Sequence, residues 1–151
     1  MLLRTHLAFA ILIFLLIFGN IGNKILFFIL LIIGTILPDI DSKKSKFGKK
    51  WYFRPLQWIF SHRGFFHTVL FGLIFFFLLY LFNIWVSFGF LTGFLIHLFL
   101  DLCTKSGVKV FWPFWERKFS LFIKTGGVFE NVFFLLLCFL DMILLSKFIF
   151  N

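Results

Sequence analysis

Residues 86–103 read VSFGFLTGFLIHLFLDLC, an apolar run that carries one imidazole, His97, and one carboxylate, Asp101. An apolar stretch of about 18 residues or more with few charges is long enough to cross a bilayer as a helix. In that helix His97 and Asp101, four residues apart, share one face, with His97 about 6 Å deeper along the axis. A charged group at the centre of a membrane helix costs about 2.5–3.5 kcal/mol, so such a pair is expected to face the bundle interior and a partner there.

Four further apolar runs flank this one: Leu7–Phe18, Ile25–Leu37, Val69–Phe82 and Val128–Phe150. Together they predict an all-α, polytopic transmembrane helical bundle of about five membrane helices, the first two short and joined by a tight turn at Asn20–Lys24. Asn83 marks a second tight turn. The expected organisation is a single integral membrane domain over 1–151, with loops at about 38–64 and 104–127. Arg4 before the first run resembles a signal peptide, but no clear small-x-small cleavage site follows, so a retained first helix is expected.

The composition agrees. Hydrophobic residues make up 62% and charged residues 14% of the 151, and the mean hydropathy is +1.06. Soluble domains carry roughly a quarter charged residues. The net charge of +9 does not call for a nucleic-acid partner, because the basic residues sit in short loops beside apolar segments. There they act as orientation signals and contacts for anionic headgroups. Membrane lipids are the expected partners, no nucleic acid is expected, and oligomeric state is not read from the sequence. Cys103 and Cys138 follow no CxxC spacing and read as small apolar residues.

Orientation follows from the same charges. Arg4, seven Lys and Arg in the 38–64 loop and five in the 104–127 loop place thirteen of the fifteen basic residues on one side, with only Lys24 and Lys147 opposite. The positive-inside rule puts that side in the cytoplasm. His6 then begins span 1, Asp39 and Asp41 end span 2, His62 and His67 begin span 3, His97 and Asp101 end span 4, and Glu130 begins span 5. All reach the cytoplasmic membrane face, where Trp51, Tyr52, Trp58, Trp112 and Trp115 are placed as interfacial anchors.

All four histidines thus gather with most of the six carboxylates. Alone, each fragment has an ordinary reading: a histidine held by its helix neighbour, a solvated acidic turn beside Lys43 and Lys44, a positive-inside Arg63, a first-turn Glu130 favoured by the helix dipole. Convergence at one rim points to one shared site. Pro38 disfavours helix at Leu37 and helps end span 2 just before Asp39 and Asp41. Gly64 permits a turn between His62 and His67, with His67 expected in the first helical turn. Arg63 has the fork geometry for phosphate or carboxylate. Thr5 is a candidate N-cap before His6. Asp141, mid-span in the last helix, is expected to pair within the bundle or stay protonated, and lies outside the site.

The expected metal ligands are His6, Asp39, Asp41, His62, His67, His97 and Asp101. Imidazole and carboxylate without thiolate suit zinc first, or manganese or iron, and suit magnesium less. Four His and three Asp exceed one tetrahedral shell, which leaves room for two ions or for one ion with a general base beside it.

The ordered set Thr5-His6, Pro38-Asp39-Ile40-Asp41, His62-Arg63-Gly64-x-x-His67-Thr68 and Gly93-x-x-x-His97-x-x-x-Asp101-x-x-Thr104-x-x-Gly107, followed by Trp112-Pro113, resembles the YdjM-like family. That family is described as inner-membrane-associated, metal-dependent hydrolases. The resemblance covers about residues 1–130. It departs from the family's usual Thr-His-Ser at Phe66-His67-Thr68, keeping the hydroxyl and the histidine. It implies an inner-membrane location and a metal site, with Thr68, Thr104 and Glu130 standing around the ligands.

The function expected on these grounds is metal-dependent hydrolysis at the cytoplasmic interface of a phosphorylated or ester-containing, amphiphilic lipid-like substrate. Asp39 or Asp41 would orient or deprotonate the attacking water, and Arg63 would meet the substrate's anionic group. Two other classes compete: a metal or proton-coupled transporter, since ionisable groups in spans also mark ion pathways, and a noncatalytic membrane stress-response protein whose metal is structural and closed off by protein ligands.

Overall fold

The computed structural model describes residues 1–41 and 64–150, with the backbone alone described at Asp41 and Phe148. His62, Arg63, Trp51, Tyr52 and Trp58 lie outside the described residues. Five α-helices follow one another: α1 Leu3–Ile17, α2 Lys24–Ile36, α3 Val69–Tyr80, α4 Ile84–Leu102 and α5 Val128–Phe150. Short 3₁₀ turns extend α1 through Phe18–Asn20 and α2 through Leu37–Asp41, and a third, Phe65–His67, precedes α3. No named β-strand occurs among the described residues; isolated bridges join Thr104 to Ile123 and Val108 to Phe119.

The helix starts follow local chemistry. Asn23 accepts from the Leu26 N–H at 3.2 Å, Asn83 from Trp85 N–H at 2.8 Å and Val86 N–H at 3.3 Å, and Thr68 from Phe71 N–H at 3.2 Å. Each thereby satisfies amide donors that a helix N-terminus leaves open. Thr5 does not cap α1. The helix begins at Leu3 with no side-chain cap, because Thr5 points inward and donates to Glu130 Oε1 at 2.9 Å.

Three segments are long and apolar enough to cross a membrane: Leu3–Asn20, Ile84–Leu102 and Val128–Lys147. The first two helices are short, at 15 and 13 residues, and α1 reaches spanning length through its 3₁₀ extension. The run Val69–Phe82 yields a helix of only 12 residues. At about 1.5 Å per residue this is well short of the hydrocarbon thickness of about 30 Å. Its ends are set by the Thr68 cap and by the turn that returns Phe82 and Asn83 N–H to Leu79 O. The molecule is a helical membrane bundle, with large apolar side chains such as Phe77, Phe82, Leu135 and Phe139 left exposed on its flanks, as a hydrocarbon surround requires.

The tightest seam joins α2 to α4. A Cβ on Gly93 would lie 2.0 Å from Leu31 O, one on Gly89 2.4 Å from Phe27 O, and one on Gly34 2.2 Å from Phe90 O. The backbones therefore approach as only small residues allow, in the Gly-xxx-Gly manner of membrane helices. This seam brings the end of α2 against the last turns of α4. Helix α1 packs mainly on α5. Beyond α4, the 104–127 segment folds back on the bundle: Leu121 N–H donates to Leu102 O and Val69 N–H to Val110 O, both at 2.9 Å.

Candidate metal centre

Four elements deliver side chains to one buried point. His6 comes from the first turns of α1, Asp39 from the 3₁₀ turn after α2, His67 from the 3₁₀ turn before α3, and His97 with Asp101 from the end of α4. His6, His67 and His97 have no solvent exposure, and Asp101 is 2% exposed. His67 lies in the turn preceding α3 and not in the helix's first turn as expected, because Thr68 takes the cap position.

His6 Nε2 lies 3.6 Å from Asp101 Oδ1, while His67 Nε2 and His97 Nε2 each lie 3.9 Å from Asp101 Oδ2. His97 Nε2 is also 3.9 Å from Asp39 Oδ1. The His6 and His97 rings stack with centroids 4.3 Å apart, and His67 meets His97 edge-on at 5.3 Å. These separations are too long for hydrogen bonds. They come close to the spacing of two ligands on one ion, which is about 3.3 Å for tetrahedral bonds of about 2.0–2.1 Å. Two groups have donor atoms mutually within 4.8 Å: His6, His97 and Asp101, and Asp39, His67 and His97. The Met1 amino group donates to Asp101 Oδ1 as well.

The imidazoles are oriented from behind. His97 Nδ1 lies 2.8 Å from Thr35 O and His6 Nδ1 3.0 Å from Leu2 O. Because a carbonyl only accepts, each Nδ1 donates to the backbone, and the opposite ring nitrogen, Nε2, is the one turned toward the carboxylates. Both Nε2 atoms are buried without a hydrogen-bond partner. A buried polar atom left so costs on the order of 1–3 kcal/mol, which a bound cation would remove. The residues present therefore fit a divalent metal.

Surrounding groups hold this arrangement. Glu130, 1% exposed, accepts from Leu2 N–H at 2.5 Å and Thr5 Oγ1 at 2.9 Å through Oε1, and from Gly126 N–H at 2.6 Å through Oε2. It fastens the start of α5 to the start of α1, beside His6. Thr104 donates to Asp101 O at 2.7 Å and closes the end of α4. Thr68 donates to Phe65 O at 2.9 Å and fixes the turn that presents His67. Burial pushes the Asp39 carboxyl above the usual carboxylate range, opposed by nearby His6.

Of the expected ligands, His6, Asp39, His67, His97 and Asp101 are brought together. Asp41 ends the same 3₁₀ turn as Asp39, but its side chain, like His62 and Arg63, lies outside the described residues. Asp141 stands apart on α5, about 16 Å along the axis from Glu130; its Oδ1 is buried without a hydrogen-bond partner. Two contributors carry no side-chain signature: the carbonyls of Leu2 and Thr35. A hydroxyl near the end of an otherwise apolar run was the available signal for Thr35, whose Oγ1 donates to Leu31 O within α2 at 2.8 Å and lies 3.3 Å from Gly93 O across the α2–α4 seam.

Helical bundle and buried His/Asp cluster together define a membrane protein with a group of residues able to hold a metal ion. The chain belongs to the family described as YdjM inner membrane protein, whose model matches residues 1–149. It is 35% identical over 105 residues to Uncharacterized protein YvsG of Bacillus subtilis (strain 168), covering 66% of each chain. It is 34% identical over 106 residues to Inner membrane protein YdjM of Escherichia coli (strain K12), covering 64% of this chain and 54% of that protein. The Shigella flexneri protein of the same name matches equally. The chain thus spans between about half and just under two thirds of the length of these curated relatives. No solved structure matches.

Proposed function

We propose that this chain is a membrane-bound, metal-dependent hydrolase whose site works at the cytoplasmic membrane interface on a phosphorylated or ester-containing lipid-like substrate. The observation that carries the reading is the pair of buried Nε2 atoms on His6 and His97, each facing Asp101 with no hydrogen-bond partner. His6, Asp39, His67, His97 and Asp101 would hold the ion, zinc by preference and otherwise manganese or iron; Asp41 and His62, the other expected ligands, have side chains outside the described residues. A neutral imidazole offers one lone pair, so His97 serves one ion only. Asp101 would offer both oxygens to the site, since Oδ1 faces His6 and Oδ2 faces His67 and His97.

When bound there, a divalent ion would supply Lewis acidity and a water whose pKa is lowered to about 7. Asp39, its side chain 19% exposed at the edge of the cluster, is placed to hold or move a proton at Oδ1. Arg63, next to Gly64 and the His67 turn, binds the anionic group of the substrate. The division of basic residues supports a multi-pass protein of the cell's inner membrane with the N-terminus and site on the cytoplasmic side. Metal analysis of detergent-purified protein, followed by turnover of lipid phosphoesters with and without chelator, tests the reading. Stoichiometric metal with chelator-sensitive hydrolysis is the expected result.

A transporter is the second reading, favoured by Asp141, a buried carboxyl in the membrane-spanning part of α5. Metal or proton flux in reconstituted vesicles without hydrolysis would decide for it.

A further inference from the structure

A groove of about 340 Å³ runs along the flank of the bundle between α1 and α4, lined by Phe9, Ile13, Thr92, Leu95, Ile96 and Phe99. This is the size of a small-molecule site. Both walls belong to segments long and apolar enough to span the membrane, so the medium beside the groove is hydrocarbon. Leu95 and Phe99 form an open rim, 44% and 55% exposed, while Ile96 is buried at the floor.

The groove is built on the same two helices that carry His6, His97 and Asp101. Phe9 is three residues beyond His6 on α1; Ile96 precedes His97, and Phe99 lies between His97 and Asp101 on α4. From Phe99 to Thr92 it extends about 10 Å along the helix, away from the polar cluster and into the apolar span. The Phe9 ring meets Phe99 and Phe133 with centroids 6.4 and 6.2 Å apart, which sets an aromatic edge between the groove and α5. At the cluster end of these helices stand two exposed cationic residues, Arg4 and Lys105. A molecule with an apolar tail in the groove therefore has its head beside two positive charges and the His/Asp cluster, a complementarity met by an anionic amphiphile.

We propose that the groove between α1 and α4 binds an acyl chain of an anionic membrane lipid and holds its headgroup at the His/Asp cluster. That this lipid is the substrate rests on the hydrolase reading; the binding itself does not.

The test uses the full chain in phosphatidylcholine nanodiscs doped with phosphatidic acid that carries a diazirine midway along one acyl chain, with crosslinked residues mapped by mass spectrometry. Groove residues Ile13, Leu95 and Phe99 should be labelled several-fold above Phe139 and Met142, which are exposed on α5. Unlabelled phosphatidic acid should compete, and Thr92→Trp, which fills the groove, should lower the labelling several-fold with metal content retained. Equal labelling of groove and α5, or labelling that unlabelled lipid does not reduce, overturns the proposal. Equal labelling by an uncharged diazirine diacylglycerol overturns the anionic headgroup. Persistent groove labelling in a metal-free His97→Ala protein supports the lipid site while counting nothing toward hydrolysis. Retained metal with no groove labelling sinks the lipid site and leaves the metal reading standing.

Discussion

His97 on α4 donates its Nδ1–H to the carbonyl of Thr35 at the end of α2, 2.8 Å away. The bond exists because the two helices are almost in backbone contact, and it aims Nε2 at Asp39 and Asp101. Packing and site chemistry are therefore one feature. A methyl group at Gly93 would lie 2.0 Å from Leu31 O and 2.9 Å from Thr35 Oγ1. Gly93→Ala should destabilise the bundle by about 1–3 kcal/mol, the usual cost of overpacking, and should lower metal affinity along with it. Gly19→Ala meets nothing within 4 Å and is expected to stay within about 0.5 kcal/mol of the parent. Thermal unfolding in detergent, paired with metal titration, checks both.

Glu130 reaches His6 through Leu2, accepting from its N–H while the Leu2 carbonyl accepts a hydrogen bond from His6 Nδ1. Replacing a group that orients a metal ligand typically costs about 10–100-fold in affinity. Glu130→Gln should show a loss of that size. The reason is that an amide cannot accept with both ends, and one of the Leu2, Thr5 and Gly126 donors would be left facing an NH₂ group. Thr5→Val removes only one donor and should cost about 1 kcal/mol of stability with a smaller effect on metal. Equal metal affinity in Glu130→Gln and the parent would show that α1 is held in place without this latch.

Sidedness rests on the thirteen-to-two division of basic residues. Single cysteines at positions 43–50 and 105–118 should react with impermeant thiol reagents only from the cytoplasmic face. Reaction of either loop from outside would place the cluster at the opposite surface and remove the argument for a cytoplasmic site.

The helices were legible because a membrane helix announces itself by length and apolarity, and the five runs match five helices closely. The convergence of His6, Asp39, His67, His97 and Asp101 was legible as well, since each of them stands at or near an end of an apolar run. Three things were not. Helix α1 begins at Leu3, four residues before its apolar run, because Glu130, distant in sequence, satisfies the Leu2 amide and the Thr5 hydroxyl. His67 sits in a 3₁₀ turn because Thr68 outcompetes it for the cap. The carbonyls of Leu2 and Thr35 are backbone atoms, common to every residue, and only tertiary packing selects them.

His6 and His97 stack face to face beside one carboxylate, so they should act on metal as a unit. His6→Ala and His97→Ala are each expected to lose more affinity than the outer latch does. The double variant should lose far less than the product of the two, as coupled ligands do. Asp39 differs in kind, being the carboxylate of the described cluster with the most access to the surface. Asp39→Asn keeps an oxygen donor of the same shape and removes the group that can take a proton. If hydrolysis is the function, Asp39→Asn or Asp41→Asn should retain stoichiometric metal by elemental analysis yet turn over a lipid phosphoester at least about 100-fold more slowly, the scale of a general base. Metal retained with undiminished turnover in both variants would remove these carboxylates from the chemistry. The transporter reading would be supported instead if neither the parent nor the variants hydrolyse any lipid phosphoester and vesicles show metal or proton flux abolished by His97→Ala.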